Sequence, residues 1–476
     1  MKKILFLFVS VFFLLLSFNF AGQKAHASLS AKINNELKEI DDTASIGILV
    51  QDQKTGKILY SKNAGHYFMP ASNEKLLTAF AALQYLGENF VYKTTLFVDT
   101  QKIHGGILND NVYLKFSGDP TFTVAQLDSL VHALSQAGIH AINGNIVIDD
   151  SAFDQMSMSP GSTWDDKDFC WGSPINAITI GHNCVRAMLV PAEKLGQLAY
   201  LSFPDFPQSL QFGSHVVTGD TTKEDCIFKA KRNSETGYLI SGCIKASMPP
   251  ENVDMAINDS RSNAQFLLTY LLRKNHIGGT YRVEFKKVDH FPAVLATEIS
   301  QPLTALLTTM LKKSDNTIAN SLFKTMGAIY AKDMGSFQNG SEAVRSILSQ
   351  SIKLDIPATT LIDGSGGSRY DFLTPQQIVT LLQSISQSKQ YAVFLSALPI
   401  GGKDGTLKAR MQHSAAFEKV FAKTGTATAV SALSGYLETQ KKHTVVFSIM
   451  INGFVDMPNR YQDVEDKICA VLVENT

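Results

Sequence analysis

The sequence lacks net charge, because its 43 lysines and arginines are matched by 43 aspartates and glutamates. A protein that attracts nucleic acid or an anionic surface usually carries a basic excess, so no nucleic-acid partner is predicted. The chain also lacks histidine pairs at zinc-ligand spacing and a His-Glu-x-x-His motif, so no metal or other cofactor is predicted. It has no fixed-period repeat and no low-complexity linker. What remains is a globular protein whose 476 residues suit two or three domains.

Long apolar runs are confined to the N-terminus, which has the pattern of a secretory signal. Lys2 and Lys3 precede an apolar run over residues 4–20, and Ala25-His26-Ala27 offers a small-x-small cleavage site. We therefore predict a signal peptide over residues 1–27, a mature chain that starts at Ser28, and secretion to the periplasm. The alternative is a retained membrane anchor, for which the run is short.

Cysteine is scarce, with five residues in the chain, and export would permit disulfides. Four of the five cluster as near neighbours, which predicts the pairs Cys170–Cys184 and Cys226–Cys243 and leaves Cys469 free. Each bridge would close a loop of about 15 to 18 residues and contribute about 3 kcal/mol in the chain-entropy model. The alternative is a set of buried thiols, because a sequence does not fix connectivity.

The first part of the chain has a core pattern followed by a long insertion. Within residues 45–62, apolar residues alternate with a period of two, which predicts a hairpin. Residues 72–86 have apolar positions at helical spacing that end before Gly87. From about residue 91 to residue 290, short apolar runs alternate with turn dipeptides. This stretch predicts one or two strand-rich inserted domains.

The last part of the chain returns to helices and ends in a hairpin. Helices are predicted over residues 303–310 and from residue 317, and Thr374 with Pro375 has the N-cap pattern of another helix. Residues 434–451 form a second hairpin around a polar turn. An α+β fold is therefore predicted, in which the core is interrupted after its first helix.

Three short motifs occur in order, each at a predicted boundary. Ser72-Asn-Glu-Lys75 opens a helix, Ser314-Asp-Asn316 lies between two helices, and Lys423-Thr-Gly425 leads into the second hairpin. Each motif alone is weak evidence, since a further Lys-Thr-Gly at residues 54–56 has the composition of an ordinary hairpin turn. Order and context together predict an acyl-transfer site.

The first motif supplies a nucleophile and a base. Residues three apart on a helix share a face, so the amine of Lys75 can reach the hydroxyl of Ser72. A serine is a poor nucleophile until a neighbour takes its proton, and a lysine kept neutral by burial and by a cation such as Lys423 can do so. We predict Ser72 as the nucleophile and Lys75 as the general base. The alternative is an ordinary helix start with a solvated lysine.

The second motif supplies a hydroxyl and an amide. Ser314 is predicted to relay a proton to the leaving amine, and Asn316 to offer its amide to the substrate backbone and to Lys75. The alternative is an N-cap cluster for the following helix. Both interpretations hold if Asp315 caps that helix while its neighbours face the cleft.

The third motif supplies a cation and a strand. Lys423 places a positive charge in the cleft, and Thr424 and Thr426 are predicted to offer hydroxyls to the terminal carboxylate of the substrate. Gly425 lacks a Cβ, which is predicted to let the substrate lie against the strand. Arg369 is open to two interpretations, in which it either holds the substrate or braces its own loop.

With a long insertion between the first and second motifs, the chain resembles the class C low-molecular-mass penicillin-binding proteins. These are D-alanyl-D-alanine carboxypeptidase/endopeptidases. Further stretches share the resemblance: Ser117–Pro120, Gly144–Asp150, Asp363–Gly366, Ser368–Tyr370 and Gly405–Leu407. The resemblance implies a serine DD-peptidase that cleaves D-alanyl-D-alanine ends or D-alanyl cross-links of peptidoglycan stem peptides and is acylated by penicillins. It also implies an oxyanion hole formed by the backbone N–H groups of Ser72 and Thr426.

The resemblance further implies a penicillin-binding-protein/serine β-lactamase-like transpeptidase domain, an antiparallel sheet flanked by helices, with two nested strand-rich domains. We assign residues 28–92 and 291–476 to the catalytic domain. Residues 93–185 and 262–290 are assigned to the inserted domain, and residues 186–261 to the second nested domain.

Two other functions fit part of the pattern. A serine β-lactamase uses the same motifs but has no domain-sized insertion after its first helix, and Glu342 is the candidate for the glutamate it would need in deacylation. A non-catalytic wall-binding scaffold would not need the complete set of motif residues found here. The expected partners are stem peptides and β-lactam antibiotics as covalent inhibitors. A homodimer and a peripheral association with the membrane or the cell wall stay open.

Overall fold

A computed structural model describes residues 28–40, 43–204, 209–220, 226–234 and 236–476. The predicted signal peptide over residues 1–27 lies outside the described residues. The helices are α1 Leu29–Glu36, α2 Lys75–Tyr85, α3 Val124–Gln136, α4 Ser260–Lys274, α5 Leu303–Lys313, α6 Asn316–Ala331, α7 Phe337–Ile352, α8 Pro375–Ser386, α9 Tyr391–Ala397 and α10 Asn459–Asn475. In the part of the chain that the structure describes, none of these helices combines the length and the apolar composition needed to cross a membrane.

The strands are more numerous than the helices and most lie in the insertion. They are β1 Ser45–Asp52, β2 Ile58–Lys62, β3 Lys93–Phe97, β4 Ile103–His104, β5 Ile107–Leu108, β6 Val112–Lys115, β7 Ala141–Ile142, β8 Ile146–Asp149, β9 Cys184–Val190, β10 Tyr200–Ser202, β11 Gln211–Gly219, β12 Phe228–Ser234, β13 Gly237–Lys245, β14 Glu251–Ala256, β15 Gly278–Gly279, β16 Val283–Phe285, β17 Val294–Ile299, β18 Val420–Ala427, β19 Val430–Glu438 and β20 Thr444–Asn452.

A five-stranded antiparallel sheet in the order β18-β19-β20-β1-β2 forms the centre of the fold. Strands from opposite ends of the chain meet in it, where Ile46 pairs with Ile451. Leu49 packs into the core with α2 and α5 to α9, whereas Ile48 and Val50 pack on the other face with α1 and α10. Helices cover both faces, so the central strands β19 and β20 are buried almost throughout. Both predicted hairpins and the predicted sheet flanked by helices are confirmed.

The insertion contains two helices that the sequence analysis did not predict. Helices α3 and α4 pack against the sheet β16-β8-β6-β3-β17 and share one apolar core with it. A capping box at Thr123 and Gln126 opens α3, which is a sequence signal that the short strands around it obscured. Strand β17, which we assigned to the catalytic domain, pairs with β3 of the insertion.

The second nested region has its own core, built from a β10-β9-β14 sheet and a β11-β13-β12 sheet. The predicted disulfides Cys170–Cys184 and Cys226–Cys243 are both present, and Cys469 is free and buried in α10. The disulfide predictions are therefore confirmed.

A buried ion pair fixes the insertion to the catalytic helices. The amine of Lys324 on α6 is fully buried and lies 2.8 Å from the carboxylate of Asp154 and 2.7 Å from the carbonyl oxygen of Met156. Because a buried charge is costly unless it is paired, this contact favours one placement of the insertion on α6.

Candidate active site

The first motif lies on a tight turn that continues into a helix. Residues Ala71–Glu74 form a 3₁₀ turn and α2 begins at Lys75, whereas the sequence analysis began the helix at Ser72. Side chains three residues apart eclipse in a 3₁₀ turn. The geometry therefore brings the amine of Lys75 to within 2.9 Å of the hydroxyl of Ser72.

Three acceptors surround the Lys75 amine, which is fully buried. Besides the Ser72 hydroxyl, it lies 2.6 Å from Oδ1 of Asn316 and 2.8 Å from the carbonyl oxygen of Ser365. A neutral amine has two N–H donors and one lone pair, whereas an ammonium has three donors and no acceptor. If Asn316 and Ser365 accept the two N–H donors of the neutral amine, its lone pair is directed at the hydroxyl proton of Ser72.

Burial makes the neutral form accessible near physiological pH, although the ammonium form still predominates there. Burial lowers the pKa of Lys75 to about 8, against the opposing effect of the carboxylates of Asp363, Asp315 and Glu74. A base whose pKa lies close to the working pH is unprotonated in a useful fraction of the molecules and is still basic enough to take a proton.

The second motif joins α5 to α6 with its side chains divided between two tasks. Ser314 ends α5 in the left-handed region at φ 59°, and Asp315 caps α6 by accepting a 2.8 Å hydrogen bond from the N–H of Ile318. Asn316 then turns its amide toward Lys75. The capping interpretation and the cleft-facing interpretation are thus combined in one motif.

The third motif meets the second through the fully buried amine of Lys423. That amine donates to the hydroxyl of Ser314 at 2.9 Å and to the carbonyl oxygen of Thr424 at 2.8 Å. Burial, and then the nearby charge of Lys75, holds the pKa of Lys423 well below its usual range. Two amines that share a dry site oppose each other's charge, so a charge on Lys75 disfavours a second charge on Lys423.

Thr424, Gly425 and Thr426 on β18 have different surroundings. The hydroxyl of Thr424 is 2.8 Å from that of Thr406, whereas Thr426 lines the cleft and accepts a 3.3 Å hydrogen bond from Gln462. A Cβ at Gly425 would lie 2.6 Å from the carbonyl oxygen of Pro70. The glycine thus allows β18 to pack against the nucleophile turn, and its predicted role of letting substrate lie against the strand stays a prediction.

A cleft with a volume of about 260 Å³ opens beside Ser72. Arg369 lines the cleft and donates a 3.3 Å hydrogen bond to the carbonyl oxygen of Thr428 in the turn after β18, and both interpretations of this residue stay open. The lining residues are Met69, Ala71, Ser72, Asp166, Trp171, Asn316, Gly366, Gly367, Ser368, Arg369, Thr426, Ala427, Thr428 and Val430.

Sequence reasoning missed two carbonyl groups of this site. The carbonyl oxygen of Ser365 accepts from Lys75, and that of Trp171 accepts from Nδ2 of Asn316 at 2.9 Å. Ser365 belongs to the stretch 363–366 that supported the family resemblance, but no role was predicted for it. Trp171 had no signal, because a main-chain acceptor leaves no residue signature.

Three buried carboxyl groups lie near Lys75. Oxygens of Glu74, Asp363 and Asp371 are within 4.8 Å of one another, and they are the one such group of possible metal ligands in the described residues. Burial, followed by the charges of the other two acids, raises the pKa of Glu74 well above its ordinary value; burial, followed by Asp363, does the same for Asp371. Carboxyl groups with a raised pKa hold a proton and lack the negative charge that binds a cation, so this cluster favours a shared proton over a metal ion.

Comparison with known proteins gives consistent matches over nearly the whole chain. Residues 29–474 match the family described as D-Ala-D-Ala carboxypeptidase 3 (S13). The D-alanyl-D-alanine carboxypeptidase DacB of Haemophilus influenzae is 30% identical over 425 residues, which cover 89% of this chain and 88% of the relative.

Solved structures agree with the sequence matches. The crystal structure of penicillin binding protein 4 from Haemophilus influenzae superposes with a TM-score of 0.83 at 29% identity, covering 93% of this chain and 99% of the other. A structure of the same protein complexed with a β-lactam gives a TM-score of 0.78 at 28% identity with the same coverage.

Proposed function

The chain belongs to the D-Ala-D-Ala carboxypeptidase 3 (S13) family, and we propose that Ser72, Lys75 and Ser314 carry its serine DD-peptidase reaction. The membership confirms the predicted family and the predicted class of enzyme. The observation that supports these residue roles is the buried amine of Lys75, which lies 2.9 Å from the Ser72 hydroxyl between two other acceptors.

Acylation follows from this arrangement. The oxygen of Ser72 attacks the carbonyl carbon of the D-alanyl peptide bond while Lys75 takes the hydroxyl proton. The backbone N–H groups of Ser72 and Thr426 stabilise the oxyanion of the tetrahedral intermediate. The proton then moves from Lys75 to the leaving amine by way of the Ser314 hydroxyl, which gives up one proton and takes up another beside Lys423. Lys75 is neutral again, and an ester to Ser72 remains. Water then hydrolyses the ester, which releases the shortened peptide and restores the serine.

The remaining motif residues bind substrate in this proposal. Lys423 supplies positive charge for the terminal carboxylate of a stem peptide, because a bound anion favours the charged form of an amine that burial alone disfavours. Thr426 lines the cleft at the same strand. Thr424 reaches the carboxylate by exchanging its hydrogen bond to Thr406, and Asn316 offers an amide to the peptide backbone. Gly425 keeps the strand close to the nucleophile turn.

The substrates are D-alanyl-D-alanine ends or D-alanyl cross-links of peptidoglycan stem peptides, and β-lactams acylate Ser72 in their place. A relative of the same family has been solved with a β-lactam bound, which supports the inhibitor assignment. The cleavage of ends and the cleavage of cross-links share one acyl-enzyme, so both reactions use the same residues.

The rival β-lactamase function lacks its deacylating glutamate in the cleft. Glu342 is exposed on α7, and the cleft-lining residues in the described part of the chain include Asp166 but no glutamate. We therefore expect the penicilloyl ester on Ser72 to be slow to hydrolyse. Nitrocefin should give a burst equivalent to one molecule per enzyme, and rapid steady turnover would instead favour the lactamase.

Periplasmic secretion rests on the sequence of residues 1–27 and stays a proposal. A homodimer and a peripheral association with the membrane or the cell wall stay predictions as well.

The test is intact-mass spectrometry of the mature protein with penicillin and with purified muropeptides. We expect a penicillin adduct on Ser72 and loss of D-alanine from the peptides, blocked by penicillin. Arginine cannot act as a base at neutral pH, so Lys75→Arg should acylate slower by roughly a hundredfold or more. Lys57→Arg, in an exposed turn, is the matched control. Labelling of Lys75→Arg at the wild-type rate, or no label on folded wild type, would overturn the proposal.

A further inference from the structure

The insertion reaches the active site through a short segment closed by a disulfide. We define the disulfide loop as residues 170–184, cross-linked by Cys170–Cys184. Trp171 follows the first cysteine, lines the cleft and is 57% exposed, and His182 lies two residues before the second. The loop therefore places one residue near each of its cysteines, Trp171 and His182, beside the second motif.

The carbonyl oxygen of Trp171 determines how the Asn316 amide is turned. It accepts the Nδ2 hydrogen bond at 2.9 Å, which leaves Oδ1 of Asn316 facing the Lys75 amine at 2.6 Å. An amide has an acceptor on one side and donors on the other. Turned by 180°, Asn316 would place N–H donors against the amine, and Lys75 would lose one of its two fixed acceptors.

The other end of the loop holds the residue before Asn316. The Nδ1 atom of His182 lies 3.6 Å from Oδ2 of Asp315, an ion-pair distance rather than a hydrogen bond. His182 and Asn183 both adopt left-handed φ angles, of 60° and 49°, which few residues without glycine's freedom adopt. The buried Asn183 side chain holds this turn through bonds to the carbonyl oxygens of Pro174 and Ile178 and to the N–H of Ile180.

We propose that the disulfide loop is a positioning element of the active site, in which Trp171 and His182 fix Asn316 and Asp315 so that Asn316 faces the base with its oxygen. This proposal rests on the function proposed above. Neither Trp171 nor His182 is required to touch the reacting atoms. Each acts through the second motif, because Trp171 contacts Asn316 and His182 contacts Asp315. The Cys170–Cys184 bridge fixes the spacing of these two contacts.

The proposal predicts a change in the pH dependence of acylation. An oxygen acceptor stabilises the charged amine of Lys75 more than the neutral one, so losing Asn316 from this position lowers the pKa of Lys75. The other titratable groups near this amine are Asp363, Asp315, Glu74 and Lys423. None of these groups is substituted in the loop variant, and among them only Asp315 loses a contact, the one with His182, when the loop is opened.

The test compares two double variants of the mature protein. Cys170→Ser/Cys184→Ser opens the disulfide loop, and Cys226→Ser/Cys243→Ser opens the other bridge, whose sequence neighbours do not line the cleft. The bridged cysteines are 14 and 17 residues apart, so the two deletions have similar effects on the unfolded chain. The second-order rate of acylation by a fluorescent penicillin is measured from pH 6 to pH 9 at a temperature where both variants are folded.

We expect the first variant to acylate roughly tenfold more slowly, with its pH midpoint moved to lower pH, and the second to match wild type. Equal rates and midpoints for the two variants would overturn the inference while wild-type labelling still supports the proposed function. Absence of label on the wild type would instead count against the proposed function itself.

A second variant keeps the test open if the first does not fold. His182→Ala removes the ring that faces Asp315 without touching a cysteine, and His132→Ala, whose ring contacts Asn275 outside the cleft, is its control. We expect slower acylation for His182→Ala alone. An unchanged rate and pH midpoint would refute the role of this end of the loop.

Discussion

Glu74 is the residue of the first motif with the least obvious purpose. Its side chain is fully buried, and as a carboxylate neither of its oxygens would have a donor, nor would Oδ2 of Asp371 beside it. A proton shared between the two carboxyl groups gives each of them a partner. Burial first, then the charges of Asp371 and Asp363, raises the pKa of Glu74 well above its ordinary value of 4.5. We therefore expect folded Glu74 to be protonated at neutral pH.

This protonation makes the stability of the fold depend on pH. Above pH 4.5 the unfolded chain has ionised Glu74 while the folded chain keeps the proton, so folding takes up a proton. The associated stability is fully present below the unfolded pKa and declines above it. The free energy of unfolding then falls by about 1.4 kcal/mol for each pH unit, until the pH reaches the folded-state pKa.

Glu74→Gln removes this proton uptake while keeping the shape and a donor toward Asp371. Relative to wild type, the variant should gain about 1.4 kcal/mol of unfolding free energy between pH 5 and pH 6. Urea unfolding at three pH values in that interval measures the difference. Glu88→Gln, at an exposed glutamate in the turn after α2, controls for the change of residue type.

The acylation rate gives a second and independent check. If Glu74 is already neutral in wild type, Glu74→Gln leaves the charge near Lys75 unchanged and the pH midpoint of penicillin acylation stays in place. If Glu74 is ionised, the substitution removes an anion and lowers the pKa of Lys75. The shared proton would be refuted if the free energy of unfolding depended on pH in the same way in wild type and in Glu74→Gln, and if the acylation midpoint of the variant moved to lower pH.

Three further predictions concern the base, the strand and the insertion. Because the pKa of Lys75 is lowered to about 8, the acylation rate should fall about tenfold for each pH unit below that value, and stopped-flow labelling that shows a flat profile would contradict this. Gly425→Ala places a Cβ 2.6 Å from the carbonyl oxygen of Pro70, so we expect a loss of about 2 kcal/mol in urea unfolding and slower labelling, with wild-type values for both as the contrary result. Asp154→Ala leaves the buried amine of Lys324 without its ion pair and should cost about 3 kcal/mol, which thermal and urea unfolding against a Lys332→Ala control would measure.

Local patterns predicted the elements of the central sheet but not how they pair. Residues 45–62 and 434–451 carry hairpin patterns that depend only on neighbours in sequence, and both hairpins form. The pairing of Ile46 with Ile451 joins opposite ends of the chain, and its signal is spread over the whole core rather than held in any window. Helices α3 and α4 were missed because the short strands beside them set the apparent character of the insertion.

The active-site residues were predictable in proportion to how local their contacts are. Ser72 and Lys75 are three residues apart, so helical geometry alone brings them together. The contact between Ser314 and Lys423 depends on the meeting of a helix connection with a strand, and the sequence analysis predicted only that both residues belong to one site.

The contacts that orient the base were beyond sequence reasoning for a chemical reason. Lys75 and Asn316 are recognisable because their side chains differ from those of other residues, but the groups that receive their hydrogen bonds are the main-chain carbonyl oxygens of Ser365 and Trp171. Every residue has such an oxygen, so a substitution at either position can preserve the acceptor and leave no trace in the sequence. What fixes the acceptors is backbone conformation, set by the Asp363 hydrogen bonds to the N–H groups of Ser365 and Ser368 in one loop and by the Cys170–Cys184 bridge in the other. The motifs therefore specify the donors of this site, and the loops around them determine whether the lone pair of Lys75 is turned toward Ser72.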